Sequence, residues 1–187
     1  MKEEDIFEDI EIVEEELPLS YIGDEVLKIK AQEIKNIDGE LVEFVKKMFH
    51  TMYENNGIGL AAPQVGESKR LFIVDLTLNK EPGKKIILIN PEIKEVEGEQ
   101  IGEEGCLSIP GVTENVKRSY KVLIKGYTLS EKEVEIEAEG LLARVFQHEL
   151  DHLDGILFID RLSFVKKKLA LKRAKKELEN IKRQKKA

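Results

Sequence analysis

The sequence predicts an α+β fold, with antiparallel or mixed β-sheets around a central helix and a further helix at the C-terminus. Two pairs of β-type runs, each joined by a short turn, are followed by a helical pattern around residue 148 and by a final, basic helical pattern. Such an order does not alternate strand and helix, so it disfavours a parallel βαβ sheet. The length of 187 residues suits one domain with a sizeable core.

The charge is distributed unevenly along the chain. The net charge is −7, yet residues 166–187 hold eleven basic and two acidic side chains, so residues 1–165 carry −16. We therefore expect a single domain over residues 1–165, including an acidic arm over residues 1–16, and a basic helix or tail over residues 166–187.

The composition excludes several classes of protein. With 36% charged and 41% hydrophobic residues, the chain fits neither a disordered nor a membrane protein. Its first 17 residues contain nine acidic side chains and one Lys, whereas targeting peptides begin basic and acid-poor. We expect a cytoplasmic protein without a membrane partner, whose acidic arm is mobile or only loosely docked.

The first helix is predicted around an apolar stripe that extends from Leu41 to Tyr53. Asp38 is positioned to cap its N-terminus, and the run Asn55–Gly57 ends it. The next ten residues, Gly57–Gly66, contain three Gly and one Pro. They predict a loop without regular structure that allows close backbone approach at a site.

Two strand pairs follow in the sequence. Arg70–Leu76 and Lys85–Ile89 are β-rich runs separated by the turn Asn79–Gly83, and they predict neighbouring strands. Lys121–Tyr127 and Glu133–Ala138 alternate around a short polar turn and predict a second hairpin.

Two further helices are indicated near the C-terminus. Apolar residues recur at helical spacing from Leu141 to Asp154, and Gly155 stands where a left-handed residue ends a helix. A last helix is predicted from about Ser163 onward, with a narrow apolar stripe of Leu171, Ala174, Leu178 and Ile181.

The strongest chemical signal is the run from His148 to His152. Two His side chains four residues apart share one face of a helix and can bind one metal ion. Glu149 can reach a water molecule bound there and act as a general base. The alternative is a solvated helix face. His50 has no partner at metal spacing.

A catalytic metal site needs a third protein ligand and an open position. Asp154 and Asp160 lie downstream of the motif, but neither is compelling in its predicted place. Cys106, the only cysteine, is the other candidate, although a lone Cys is more often a small buried hydrophobe. The residues alone leave this choice open.

Three segments together resemble a known family. Gly57–Gly66, Glu104–Ser108 and Gln147–Gly155 are similar, in order and spacing, to the signature motifs of the peptide deformylases, in the bacterial type with a basic C-terminal helix. The resemblance extends from about Leu17 to Leu162. It implies an enzyme that removes the formyl group from the N-formylmethionine of nascent polypeptides and releases formate.

The resemblance also implies roles for individual residues. Cys106, His148 and His152 would be the metal ligands, and Glu149 the acid and base. The amide of Gln64 and the backbone N–H of Leu107 would donate to the oxyanion that forms on the formyl oxygen. The implied native ion is Fe²⁺, with Zn²⁺, Ni²⁺ or Co²⁺ as substitutes.

Substrate-binding positions follow from the same resemblance. Ile58 and Gly59 would pair with the extended substrate backbone, and Leu141 and Val145, with Ile58, would line the pocket for the methionine side chain. Ordinary core packing is the alternative for these side chains.

Three charged residues extend the predicted site. Glu104 and Arg118 resemble an ion pair that steadies the cysteine segment. Arg144 stands where many relatives have an aliphatic residue, and we expect its charged end at the rim of the pocket.

The basic tail over residues 166–187 suggests a partner. Ribosomal RNA is the preferred one, since the substrate emerges from a ribosome and family members with such a helix dock there, while a solvated helix remains the alternative. The sequence leaves two other functions open: a zincin-like metallopeptidase, which would keep its metal after Cys106→Ala, and a ribosome-associated binding protein without activity.

Overall fold

Two antiparallel sheets and three α-helices build the part of the chain described by this computed structural model, which covers residues 6–81 and 84–184. The helices are α1 (Gly39–Glu54), α2 (Gly140–Leu153) and α3 (Phe164–Gln184). The strands are β1 (Gly59–Ala61), β2 (Leu71–Val74), β3 (Ile86–Glu97), β4 (Gln100–Gly105), β5 (Thr113–Arg118), β6 (Lys121–Tyr127) and β7 (Glu133–Glu139). The predicted α+β class is confirmed. Residues 1–5 of the predicted arm, Pro82 and Gly83 of the predicted turn and residues 185–187 of the tail lie outside the described residues.

The larger sheet separates two layers of helix. Its strand order is β1-β2-β3-β6-β7 and every pair is antiparallel, while β4 and β5 form a separate two-stranded sheet. Phe72 and Val74 pack with the apolar side of α2, whereas Leu71 and Ile73 pack with α1. Since successive side chains of a strand point to opposite faces, β2 is buried on both sides.

The predicted ends of the first two helices are confirmed. The Asp38 side chain accepts a 3.0 Å hydrogen bond from Leu41 N, as an N-cap residue does. Gly155 has φ of +72°, and a Cβ there would lie 2.7 Å from Lys28 O. Glycine is therefore required both by its backbone conformation and by the close approach of another segment.

The predicted loop Gly57–Gly66 was wrong in one respect. Residues Gly59–Ala61 form β1, which pairs with β2, and Ala62–Val65 form a 3₁₀ turn. Pro63 fits because it lies in the first turn, where its missing N–H costs no hydrogen bond. Gly66 then ends the turn with φ of +85°.

The strand predicted to end at Ile89 continues to Glu97. Asn90 adopts φ of +51°, and the pairing with β6 shifts register between Ile89 and Glu92. This bulge carries the strand past Pro91, which cannot donate to the ladder. The Asn90 side chain fastens the bulge by bonding to both the N–H and the carbonyl of Ile34.

The small β4–β5 sheet was not predicted. Most of its side chains are exposed or half-buried, including Ile101, so neither strand shows a clear alternation of apolar and polar residues. Val116 attaches this sheet to a third apolar cluster with Phe158 and the α3 residues Ala170 and Ala174.

The described part of the acidic arm is docked, not loose. Glu8 N donates to Lys85 O at 2.8 Å, Ile10 is buried, and Glu15 Oε1 accepts from Lys47 Nζ at 2.6 Å. Among the described residues, no helix combines the length and apolar character that a membrane crossing requires.

Candidate active site

A cleft with a volume of about 630 Å³ lies where β1, α2 and the segment after β4 meet. Its lining includes Gly59, Gln64, Cys106, His148 and Glu149. The volume lies within the range of about 300–1,000 Å³ that is usual for ligand pockets. The structure therefore brings residues from all three sequence motifs to one cavity.

Cys106, His148 and His152 form a cluster in which their ligand atoms lie within 4.8 Å of one another. The two imidazoles come from successive turns of α2, and their ring centres are 5.0 Å apart. Cys106 Sγ lies 3.2 Å from His152 Nε2. Among the three candidates for the third ligand, only Cys106 meets the histidines, because Asp154 pairs with Arg70 and Asp160 with Lys167.

The donor set of this cluster fits a transition metal. Thiolate and imidazole suit Fe²⁺ and Zn²⁺, and three protein ligands leave one position for water or substrate. In a tetrahedral site, metal–sulfur and metal–nitrogen distances of about 2.3 and 2.0 Å bring the ligand atoms within a few ångströms of one another. The ligand atoms of Cys106, His148 and His152 are already that close.

His148 is oriented by a carboxylate behind it. Its Nδ1 lies 3.0 Å from Glu104 Oε2, which leaves Nε2 free to face the cluster, and its ring stacks on Phe158. Burial disfavours the charged ring, but hydrogen bonds with Cys106 and Glu104 outweigh it and raise the pKa of His148. Burial and the neighbouring charges of His148 and Arg118 lower the pKa of His152.

Glu149 is a buried carboxyl group against the edge strand. A Cβ on Gly59 would lie 2.5 Å from Glu149 Oε1, so a side chain at this position would push the carboxyl group or the strand out of place. The other oxygen, Oε2, is buried without a hydrogen-bond partner among the described residues. Burial raises the pKa of Glu149 to about 7. A carboxyl group in that range can both accept and return a proton near neutral pH.

Gln64 is held with its amide nitrogen toward the cysteine. It is buried, and its Oε1 accepts a 2.9 Å hydrogen bond from Ala61 N. Its Nε2 is thereby directed at Cys106 Sγ and Ser108 Oγ, each at 3.4 Å. Leu107 follows Cys106 in a turn closed by a bond from Ile109 N to Cys106 O. A side-chain donor and this backbone segment thus flank the cluster.

Glu104 and Arg118 form a buried bidentate pair beneath the cluster, with two hydrogen bonds of 2.9 Å. Arg118 also bonds to Asp151, which accepts from Arg161 as well. Burial opposes the ionisation of Glu104, but hydrogen bonds from Arg118 and His148 outweigh it and hold the pKa of that carboxyl well below its usual value.

Arg144 lines the cleft, but its guanidinium is buried, contrary to the expectation that its charged end lies at the rim. It is 6% exposed, and its Nη1 donates to Glu104 Oε1 at 2.7 Å and to Val116 O at 2.9 Å. The prediction was wrong because the partners of the guanidinium come from β4 and β5, which the sequence did not reveal. One signal was present: Arg144 precedes His148 by four residues, so it shares the inward face of α2.

The predicted substrate positions all lie along the cleft. Gly59 of β1 and Ile58, the residue before this strand, line the cleft on one side. Leu107 lines it from the cysteine segment. Leu141 and Val145 line it from α2. Leu141 is 55% exposed, so it is not a core residue.

The fold and the cleft define a class of hydrolase in which a helix with two histidines and a glutamate meets a cysteine segment in one cleft. A family model described as polypeptide deformylase matches residues 16–168. The chain belongs to the peptide deformylase family, whose members are enzymes that remove N-formyl groups from nascent peptides and use a single catalytic metal ion.

Individual peptide deformylases are similar to this chain over most of their length. The chain is 55% identical to a peptide deformylase of Thermodesulfovibrio yellowstonii over 159 residues, covering 85% of this chain and 96% of the relative. A Legionella pneumophila peptide deformylase structure matches with a TM-score of 0.86 and 41% identity, covering 89% and 98% of the two chains. An Acinetobacter baumannii relative, solved with Met-Ala-Ser bound, matches with a TM-score of 0.74 and 37% identity, covering 80% and 100%.

Proposed function

We propose that this chain is a metal-dependent hydrolase that removes the formyl group from the N-terminal N-formylmethionine of nascent polypeptides and releases formate. The observation that carries the proposal is the meeting of Cys106 with His148 and His152 in the same cleft as Glu149 and Gln64. Family membership supports the same reaction.

Cys106, His148 and His152 would hold one divalent ion. When bound, the ion supplies Lewis acidity, which lowers the pKa of water toward neutrality and polarises the formyl carbonyl. Glu104 assists by keeping His148 in the tautomer that leaves Nε2 free, since its carboxylate accepts from Nδ1.

Glu149 moves the proton in this proposal. Its carboxylate takes a proton from the attacking water and later gives it to the departing amine nitrogen. A pKa of about 7, raised by burial, suits both transfers. Gln64 Nε2 and the Leu107 N–H donate to the formyl oxygen as negative charge develops there, and a neutral amide does so without titrating.

The substrate would bind as an added strand. β1 is an edge strand of the larger sheet, so the backbone of Ile58 and Gly59 can pair with an extended peptide. Leu141 and Val145, with Ile58, would form the apolar pocket for the methionine side chain. The relative solved with Met-Ala-Ser bound supports a peptide in this cleft.

We infer that Fe²⁺ is the native ion, with Zn²⁺, Ni²⁺ and Co²⁺ as substitutes. The mixed thiolate and imidazole donors accept all four ions, so affinity alone does not select one. The test is to purify the protein without oxygen, measure its bound metals, and compare activity after loading with each ion. Iron as the main bound metal supports this inference, and zinc as the main metal of the active protein contradicts it.

We also infer that the basic residues of 166–187 bind ribosomal RNA and that the enzyme acts in the cytoplasm, where nascent chains emerge. The Lys and Arg side chains of α3, nearly all of which are exposed, give the helix a basic surface. Pelleting with ribosomes, with and without residues 166–187, tests the partner. Loss of pelleting without the segment supports the inference, and equal pelleting contradicts it.

The reaction itself is tested by formate release from formyl-Met-Ala under anaerobic iron loading. Wild type should release formate, and Glu149→Gln should lose nearly all activity while keeping its metal, because the ligands are untouched. Wild-type protein that holds metal and releases no formate contradicts the proposed function.

A further inference from the structure

The last turns of α3 reach the candidate active-site cleft. Ala170, Ala174, Glu177 and Ile181 are spaced by four, three and four residues, so they lie on one face of the helix. The two alanines are fully buried, and Ile181 lines the cleft. The stripe expected from the sequence was partly wrong, since Leu171 is 40% exposed and is not on this face.

Contacts along this face hold α3 against the segment that follows Cys106. The small side chains of Ala170 and Ala174 let the helix pack closely in the third apolar cluster. Glu114 accepts from Lys166 at 3.1 Å and from Arg173 at 3.4 Å. These contacts bring the end of α3 to a defined place beside the cleft.

A tight contact near the cleft continues this packing. A Cβ on Gly111 would lie 3.1 Å from Glu177 Cγ, and Gly111 has φ of +72°. Any side chain at this position would press on the helix one turn before Ile181. The glycine therefore allows α3 to lie directly on the loop that forms one wall of the cleft.

The proposed reaction leaves part of the cleft without a role. Leu19, Tyr21, Pro110 and Ile181 also line the cleft, and they are more exposed than the buried His148 and Glu149. These side chains are mainly apolar. A nascent peptide continues beyond its first residue and advances about 3.3 Å per extended residue, so a chain whose first residue lies at the buried site has to leave it through the more exposed part of the cleft.

We propose that Ile181 is a specificity-determining residue, which contacts the side chains that follow formylmethionine and favours apolar ones. The proposal rests on the proposed function, since it takes the cleft to hold an N-formylated peptide. α3 then has two different roles. Its exposed side is basic, and its buried side ends in one apolar residue, Ile181, that belongs to the substrate cleft.

The test compares the full-length protein with Ile181→Ala and with a chain ending at Asn180. For formyl-Met-Leu-Leu we expect kcat/KM to fall about 10-fold in both variants, mainly through KM, as when an apolar contact is lost from a binding pocket. For formyl-Met-Ser-Ser and formyl-Met-Ala we expect changes below about 2-fold, since they offer little apolar surface there. Leu171→Ala is the matched control on the same helix and should behave as wild type.

Binding of the product peptides Met-Leu-Leu and Met-Ser-Ser, measured by calorimetry, tests the same contact without turnover. Ile181→Ala should lose the wild-type preference for Met-Leu-Leu. An unchanged preference, or an equal loss for all peptides, overturns the role of Ile181. If the protein releases no formate but its peptide preference still depends on Ile181, then the proposed reaction is contradicted and the role of Ile181 is not.

Discussion

The backbone of Gly59 lies so close to the carboxyl group of Glu149 that a methyl group on this glycine would be 2.5 Å from Oε1 and 2.9 Å from Val145 Cγ1. The residue that would pair with the substrate and the residue that would move the proton are thus in direct contact. In the proposed reaction their spacing would tie the position of the substrate to proton transfer, because a shift of β1 would change both.

Gly59→Ala should therefore lower activity without removing the metal. The added methyl group displaces either Glu149 or β1, and misplacement by about 1 Å can reduce a rate by about 100-fold. The measurement is kcat/KM for formyl-Met-Ala, together with metal content. Gly39→Ala is the control, since a Cβ there meets nothing within 4 Å. Activity within 3-fold of wild type in Gly59→Ala would count against this geometry.

Arg144→Met should destabilise the protein. Removing the guanidinium leaves the buried Glu104 with one arginine instead of two and removes a hydrogen bond to Val116 O. Breaking a buried ion pair costs about 3–5 kcal/mol. Because Arg118 still pairs with Glu104, we expect a smaller loss of about 2–3 kcal/mol in the free energy of unfolding. Urea denaturation of the metal-free protein measures it.

The matched control for that substitution is Arg173→Met, which removes an ion pair whose arginine side chain is 57% exposed. Exposed pairs contribute about 0–1 kcal/mol. If both variants lose the same stability, then Arg144 does not act through its buried contacts.

Asp75→Asn should change how stability depends on pH. Burial opposes ionisation of Asp75, but hydrogen bonds from Tyr53 Oη and from the hydroxyl and N–H of Thr77 outweigh it and lower the pKa of Asp75. A lowered folded-state pKa adds stability above the unfolded value of about 3.9, and that stability is lost as the pH falls through the folded-state pKa.

The variant should accordingly be less stable than wild type by about 1–3 kcal/mol at pH 7, with the difference shrinking below about pH 4. Urea denaturation from pH 7 to pH 3 measures the difference. Equal stability at pH 7, or a difference that grows toward low pH, contradicts the role given to these hydrogen bonds.

Helices that carry their own boundary signals were predicted well from the sequence. The Asp38 cap and Gly155 in the left-handed region are local features, and apolar side chains at helical spacing mark the buried faces of α1 and α2. β4 and β5 were missed because their pairing is not local and they bury few apolar side chains. β3 was cut short because Asn90 and Pro91 resemble a chain break, whereas the structure uses them as a bulge.

The residues of the candidate site show the same difference between local signals and contacts that are distant in sequence. Helical spacing placed His148 and His152 together, but Cys106 could be added only by resemblance to the family. The position of Arg144 required knowledge of β4 and β5, and the position of Ile181 required the packing of α3 on the loop around Gly111. Residues whose partners are distant in sequence were the ones that single-sequence reasoning did not place.

The central claim is that Cys106, His148 and His152 hold the one ion on which formyl hydrolysis depends. The most direct measurement is metal content per chain, together with formate release from formyl-Met-Ala, in anaerobically prepared wild type and Cys106→Ala. Wild type should hold one divalent ion per chain and release formate, and Cys106→Ala should lose both while staying folded. A folded Cys106→Ala variant that keeps a full equivalent of metal would contradict the account.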